Sequence, residues 1–439
     1  MVVQGQVCFG RELRRRRLAA GLTLTSLSKL VHYSKAQLSK VERGLKAPSQ
    51  ELARLCDTAL GGGGSLAALI PMRPAGTRVS EATNDDVEEV WLMQLSGDGQ
   101  SWFQPLSRRQ AMTMGVATVA GMSIGRQDTA FPVENGTLLG MSRALFEHYR
   151  QLGQVAGPEL VLPALIAQVH SLQELSSRMG STTRNALLRL ASRYAEYAGW
   201  MMQEFGNDEA ALWWTRRAID LAAAGGDRDL AAYGHVRHAL VTLYRGDPSQ
   251  TIELAKRAQG AGLPPRIRGL AAQREAQGHA LAGDYDSCMR SLDQARALLD
   301  QHAPNSQSPV IGTTNLSDPV GMITGWCLRD LGRPQEAAQV IGTHLALVPP
   351  QALRTRARFG IRHALAYAVA GEIEHACRLS AELLAGAVTV SSATIAQDIR
   401  ALARTLARHP SNPAARELAQ EMAAAAQAVN LQTYRRGIQ

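Results

Sequence analysis

Five glycines in the second half of the chain, Gly206, Gly246, Gly283, Gly332 and Gly371, stand 40, 37, 49 and 39 residues apart, and aligning on them brings other small residues into register. Seven positions before each glycine stand Gly199, Ala239, Ala276, Gly325 and Ala364; five positions after it stand Ala211, Thr251, Cys288, Ala337 and Ala376. Twelve after, Ala218, Ala258 and Ala295 agree, whereas His344 and Leu383 depart. A glycine turns the chain between two helices, and small residues on either side let those helices cross closely. Apolar residues are helix-periodic nearly everywhere, and alternating β-branched runs are missing. The pattern predicts an all-α chain whose second half, residues 185–390, is an α-solenoid of helical hairpins.

This register resembles the tetratricopeptide repeat, with the turn typified by Ala282-Gly283-Asp284-Tyr285. The period exceeds the roughly 34 residues of that family, so extended helices are expected. The long gap holds the Pro/Asn/Ser-rich stretch His302–Leu316, which reads as a loop insertion. A connector over 107–184 carries a diverged helical pair, Leu138–Gly157 and Glu159–Met179; Ala393–Arg408 and Pro413–Ala428 cap the array within 391–439. Stacked hairpins of this family form a superhelix whose concave groove binds an extended peptide or protein segment. The first helices would expose Arg193, Glu196, Trp200, Gln203, Tyr233, Tyr244, Gln273, Gln277, Trp326, Arg329 and Arg358, aromatic, amide and charged groups suited to a peptide.

Charge divides the chain. Residues 1–71 hold eleven Lys and Arg against four acids, a surplus of seven within a net charge of +9. Four of the five lysines fall between Lys29 and Lys46. A polyanion-binding surface therefore belongs at the N-terminal head.

The head reads as five short helices, Phe9–Ala20, Leu24–Val31, Lys35–Arg43, Gln50–Leu60 and Ser65–Ile70, with Thr23, Ser34 and Ser49 as N-caps. Gly21 to Gly44, with Leu27, Val31, Leu38 and Val41 at buried positions, Ser28 where two helices meet, and the run Ser39-Lys40-Val41-Glu42-Arg43-Gly44, resembles the helix-turn-helix of the phage-repressor (xenobiotic-response-element) family. Leu24 stands where that family usually has a phosphate-contacting Gln, and His32 replaces its turn glycine, a position that His tolerates. The third helix presents Lys35, Ala36, Ser39 and Lys40 opposite Leu38 and Val41, the face that would enter a major groove. The resemblance assigns base edges to Lys35, Ala36 and Lys40. Lysine suits guanine and an alanine methyl suits thymine. Thr23, Thr25, Gln37, Arg43 and Lys46 suit phosphates. Arg14–Arg17 lie on the helix behind the reading helix.

Residues 72–106 read as a linker, Pro/Gly/Ser-bearing and acidic to about Val90. Ser107-Arg108-Arg109-Gln110 before Ala111–Ile124 superficially resembles a twin-arginine export signal, but its internal position favours a buried helix capped by Ser107. The five cysteines form no C-x-x-C pair, and no stretch reaches the roughly 18 apolar residues of a membrane helix, so a cytoplasmic protein is expected. His235-x-x-His238 has ligand-like spacing but falls on a repeat's packing face without a third ligand, and Arg245-Gly246-Asp247 is a repeat turn. No nucleophile elbow, phosphate loop or paired catalytic carboxylates appear; neither an enzyme nor a metal or other cofactor is expected.

The two halves together resemble peptide-responsive quorum-sensing regulators. This implies a homodimer on double-stranded DNA whose array senses a peptide, or a small molecule, and moves heads that hang from it by the linker. An interaction scaffold with a docking or vestigial head is the rival reading.

Overall fold

The computed structural model describes residues 9–70, 90–95, 101–106, 135–301, 310–312 and 314–434, which are helical except for one small hairpin. The head contains α1 (Phe9–Ala19), α2 (Leu24–Val31), α3 (Lys35–Glu42) and α4 (Gln50–Leu60), with a single 3₁₀ turn, Ala67–Leu69, in place of the expected fifth helix. Its start signals act as the sequence implies. The side chains of Thr23, Ser34 and Ser49 accept from the amides of Ser26, Gln37 and Leu52. His32 closes α2 in the left-handed region, φ 51° and ψ 39°. A Cβ on Gly10 would stand 2.3 Å from the Val41 carbonyl oxygen, so glycine lets α1 press onto α3. Arg17, buried, locks the same pair through two bonds to Glu42 of 2.7 and 2.9 Å and one to the Leu22 carbonyl.

Within the expected linker the chain forms an antiparallel hairpin of β1 (Val90–Leu95) and β2 (Ser101–Leu106), Val90 facing Leu106. The run Val90-Trp91-Leu92-Met93 is apolar without alternation, a pattern that strand and buried helix share. The helix expected over Ala111–Ile124, with its Ser107 cap, lies outside the described residues.

Among the described residues the array is a stack of seven hairpins. A first pair, α5 (Asn135–Val155) and α6 (Pro158–Ser177), precedes α7 (Ser181–Phe205) and α8 (Asp208–Ala224), α9 (Leu230–Tyr244) and α10 (Pro248–Arg257), and α11 (Pro265–Ala282) and α12 (Tyr285–Asp300). Then come α13 (Pro319–Asp330) and α14 (Pro334–Leu345), α15 (Leu353–Val369) and α16 (Ile373–Val390), and α17 (Ala393–Leu406) and α18 (Pro413–Tyr434). All five aligned glycines turn their hairpins at positive φ, between 74° and 91°. The aligned small residues mark the crossings: a Cβ on Gly199 would meet the Ala211 carbonyl oxygen at 3.1 Å, and one on Gly325 would lie 2.5 Å from Ile341 and 3.3 Å from the Ala337 oxygen.

Two tertiary features shape this stack. First, it curls until its ends meet. Glu204, at the end of α7 and 1% exposed, pairs with Arg354 at 2.8 Å and with Arg358, both on α15, and accepts from Ser392 and Thr394 at the start of α17. Arg354 also donates to the carbonyls of Gly153, Ala156 and Val390, at 2.7, 2.7 and 2.9 Å. Burial alone would raise the Glu204 carboxyl, but Arg358, Arg354 and the Ser392 hydroxyl hold it at about 2. Second, the head does not hang free, as the linker suggested. It packs on the turns of three successive hairpins. Arg54 of α4 donates to the carbonyls of Asp330, at 2.6 Å, and Leu281; Gly64 abuts Gly283, and the His32 ring rests on Gly371, where a Cβ would fall 2.4 Å from it. Glu51 pairs with Arg408, whose guanidinium lies 4.4 Å above the Tyr33 ring. The apolar core of the head, with Leu27, Leu38 and Leu52, is continuous with that of α15 to α18. A hinge able to swing the head freely would first have to expose that shared core.

Candidate nucleic-acid interface and ligand cavity

On α3, Lys35, Ala36 and Lys40 are exposed and Ser39 is half-buried, while Leu38 and Val41 are buried beneath them. Period 3.6 makes this division: positions 38 and 41 share the inner stripe and 35, 36, 39 and 40 the outer one. Thr23, Thr25, Arg43 and Lys46 are exposed beside them and Gln37 is half-buried. The Thr23 hydroxyl accepts from the Ser26 amide at 3.0 Å as a cap and shares a second hydrogen bond with the Ser26 hydroxyl at 2.8 Å. Of the arginines of α1, Arg17 is tied inside the head by Glu42 and half-buried Arg16 bonds Glu12, whereas Arg15 bonds Glu12 from an exposed position. Arg14 stays exposed.

The curl of the array encloses a cavity of about 170 Å³. Eight of the eleven residues expected in the groove line it: Arg193, Glu196 and Trp200 from α7, Tyr233 and Tyr244 from α9, Gln273 from α11, Trp326 from α13 and Arg358 from α15. The other three do not. Gln203 is 2% exposed and accepts from Arg237 at 3.4 Å in the seam between α7 and α9. Gln277 is wholly buried and accepts from Arg274. Arg329 pairs with Asp330 on the outer side, where both line a second cavity beneath Arg54 of the head. Hairpins alone cannot reveal which flank of a helix faces its neighbour; the superhelical twist decides that.

Arg150, Arg237, Arg274 and Arg354, which the repeat register does not single out, line the cavity as well. From the stretch expected to be a loop insertion, Val310, Gly312, Thr314, Asn315 and Leu316 wall the cavity, and the Val310 and Gly312 carbonyls accept from Arg150 at 3.0 and 2.8 Å. The signal available was the arginine spacing Arg354-x-x-x-Arg358 on one helix face. Within the lining, Tyr233 donates to Glu196 at 3.3 Å, and Arg237 lies 3.5 Å from the same carboxylate. The Trp326 ring is stacked by Arg362, 3.2 Å from its centroid.

His235 and His238 are half-buried on α9, and burial lowers both below the ordinary imidazole value. Among the described residues no group of three or more His, Cys, Asp or Glu could hold a metal, and no helix is long and apolar enough to cross a membrane.

Compared with known families, residues 9–70 match the model of a helix-turn-helix domain. The match covers the head alone and identifies it as a DNA-binding module of the kind found in regulators. No curated protein and no solved structure matches the chain.

Proposed function

We propose that this chain is a sequence-specific transcriptional regulator whose repeat array senses a ligand and transmits its presence to the head. One observation carries the reading: the helices that line the cavity end in the turns that grip the head. Helices α11, α13 and α15 supply Gln273, Trp326 and Arg358 to the cavity, and their terminal glycines Gly283, Gly332 and Gly371 stand against Gly64, Arg54 and His32. A ligand that shifts these helices shifts the platform on which the reading helix stands, so coupling of about 1–3 kcal/mol, some 5- to 150-fold in operator affinity, needs no freely hanging head. The tetratricopeptide resemblance and the aromatic lining support a short peptide. The small volume of the cavity supports a second reading, a small molecule or only the end of a peptide.

The regulator binds as a homodimer to a palindromic site in this reading, because one head buries too little surface for high specificity. Selection of bound sequences from a random duplex pool tests it. Lys35→Ala or Lys40→Ala should cost about 1–3 kcal/mol at the selected site and relax base preference, while Arg43→Ala should weaken all duplexes alike and reduce the salt slope by about 1. Selection of no sequence, or a Lys35→Ala plus Lys40→Ala variant with intact affinity, refutes the assignment of the reading helix and favours the scaffold. A Trp200→Ala variant should lose the ligand response and keep ligand-free DNA affinity.

A further inference from the structure

The cavity is one-sided in its chemistry. Six guanidiniums line it, from Arg150, Arg193, Arg237, Arg274, Arg354 and Arg358, against the single carboxylate of Glu196. Most are balanced by acids in or behind the wall: Asp227 for Arg193 at 3.0 Å, Glu196 for Arg237, and Glu204 for Arg354 and Arg358 together. Arg274 differs. Among the described residues its one bonded partner is the neutral Gln277 amide, and no carboxylate stands within ion-pair distance of it. Burial lowers the Arg274 guanidinium to about 10, opposite in direction to Arg358, whose carboxylate partner raises it against burial. The polar groups left unpaired point the same way. Buried nitrogens of Arg193 (Nε and Nη1), Gln273 (Nε2) and Arg358 (Nε) have no acceptor, whereas no lining oxygen is similarly left without a donor among the described residues. Arg193 and Gln273 are themselves only 8% and 2% exposed.

Unmatched donors at a buried site are costly, and a half-buried cation without a carboxylate partner adds to the cost; an incoming oxyanion relieves both. Beside these groups stand Trp200, Tyr233, Tyr244 and Trp326, which offer flat apolar area. We infer that the ligand of this cavity carries a carboxylate on an apolar body, held by Arg274, Arg193 and Gln273 with the body against Trp200 and Trp326. The inference rests on the cavity being the sensor site. A peptide C-terminus and a free organic acid share this chemistry.

Two matched pairs of probes separate the possibilities in the full chain: 4-phenylbutyrate with 4-phenylbutyramide, and acetyl-Leu-Leu-Phe with its C-terminal amide, each followed through the fluorescence of Trp200 and Trp326. The expected result is binding of an acid at least about tenfold tighter than its amide, a preference that Arg274→Gln removes. The pair that shows it identifies the source. Equal binding of acid and amide overturns the carboxylate inference while leaving the cavity a ligand site; no response from either pair at millimolar concentration overturns both. Stability gives an independent readout, because Arg274→Gln deletes a half-buried charge without a carboxylate partner. The ligand-free variant should melt above the wild type, and a lower melting temperature would show the guanidinium to be a structural tie and refute its role in binding.

Discussion

Glu204→Gln removes the carboxylate that closes the array on itself, and its cost follows from the geometry. The side chain is 1% exposed and faces two guanidiniums, and the amide can satisfy only one of them while presenting protons to the hydroxyls of Ser392 and Thr394, which now donate. Breaking a buried pair by removing one partner costs about 3–5 kcal/mol, and the retained amide oxygen puts the change near the lower end. Titration leads to the same magnitude: a carboxyl held at about 2 against an ordinary 4.5 stabilises the fold by about 3 kcal/mol at neutral pH. With an unfolding entropy of about 2.1 cal/mol/K per residue over the roughly 300 residues of the array, that is about 5 °C of melting temperature. The sign with pH is fixed, because the folded value lies below the unfolded one. Stabilisation is complete above about pH 4.5 and is lost as pH falls towards 2. Thermal melts followed by tryptophan fluorescence at pH 7, 4.5 and 3 should therefore show a gap between wild type and variant that is widest at pH 7 and narrows below 4.5. A gap under 1 °C at pH 7, or one independent of pH, would refute the assignment of Glu204 as the charged keystone.

Gly371→Ala and Gly246→Ala both place a side chain at positive φ, 91° and 74°, and each should cost about 1 kcal/mol; only the first meets the head, so only it should speed hydrogen exchange in α4. Arg54→Ala, which leaves the Asp330 and Leu281 carbonyls without that donor, should speed the same amides with the array's own melting unchanged. Gly10→Val drives a side chain into the Val41 carbonyl and should destabilise the head by about 1–3 kcal/mol or more, read as lost DNA binding at temperatures the array survives.

Much of this molecule is local and hence legible in the sequence. The caps at Thr23, Ser34 and Ser49, the left-handed His32, the exposed stripe of Lys35, Ala36 and Lys40, and the turn glycines with their small partners all depend on residues within one hairpin of each other. Helical periodicity and capping chemistry act over that range, so the pattern carries them. The hairpin of β1 and β2 escaped because an apolar run without alternation does not distinguish strand from helix.

Closure of the array and docking of the head are different in kind. Glu204 meets Arg354 across 150 residues, Arg54 meets Asp330 across 276, and Glu51 meets Arg408 across 357. Such pairings arise from small rotations between neighbouring hairpins summed over the whole stack, which no local pattern encodes. The same sum turned Trp200, Tyr244 and Trp326 into an enclosed cavity rather than an open groove, and sent Arg329 outward to the head although it lies one turn from Trp326. The sequence by itself determined a helix-turn-helix head and a stack of helical hairpins; only the accumulated curvature of the stack decided that the two form one body around a guanidinium-lined cavity.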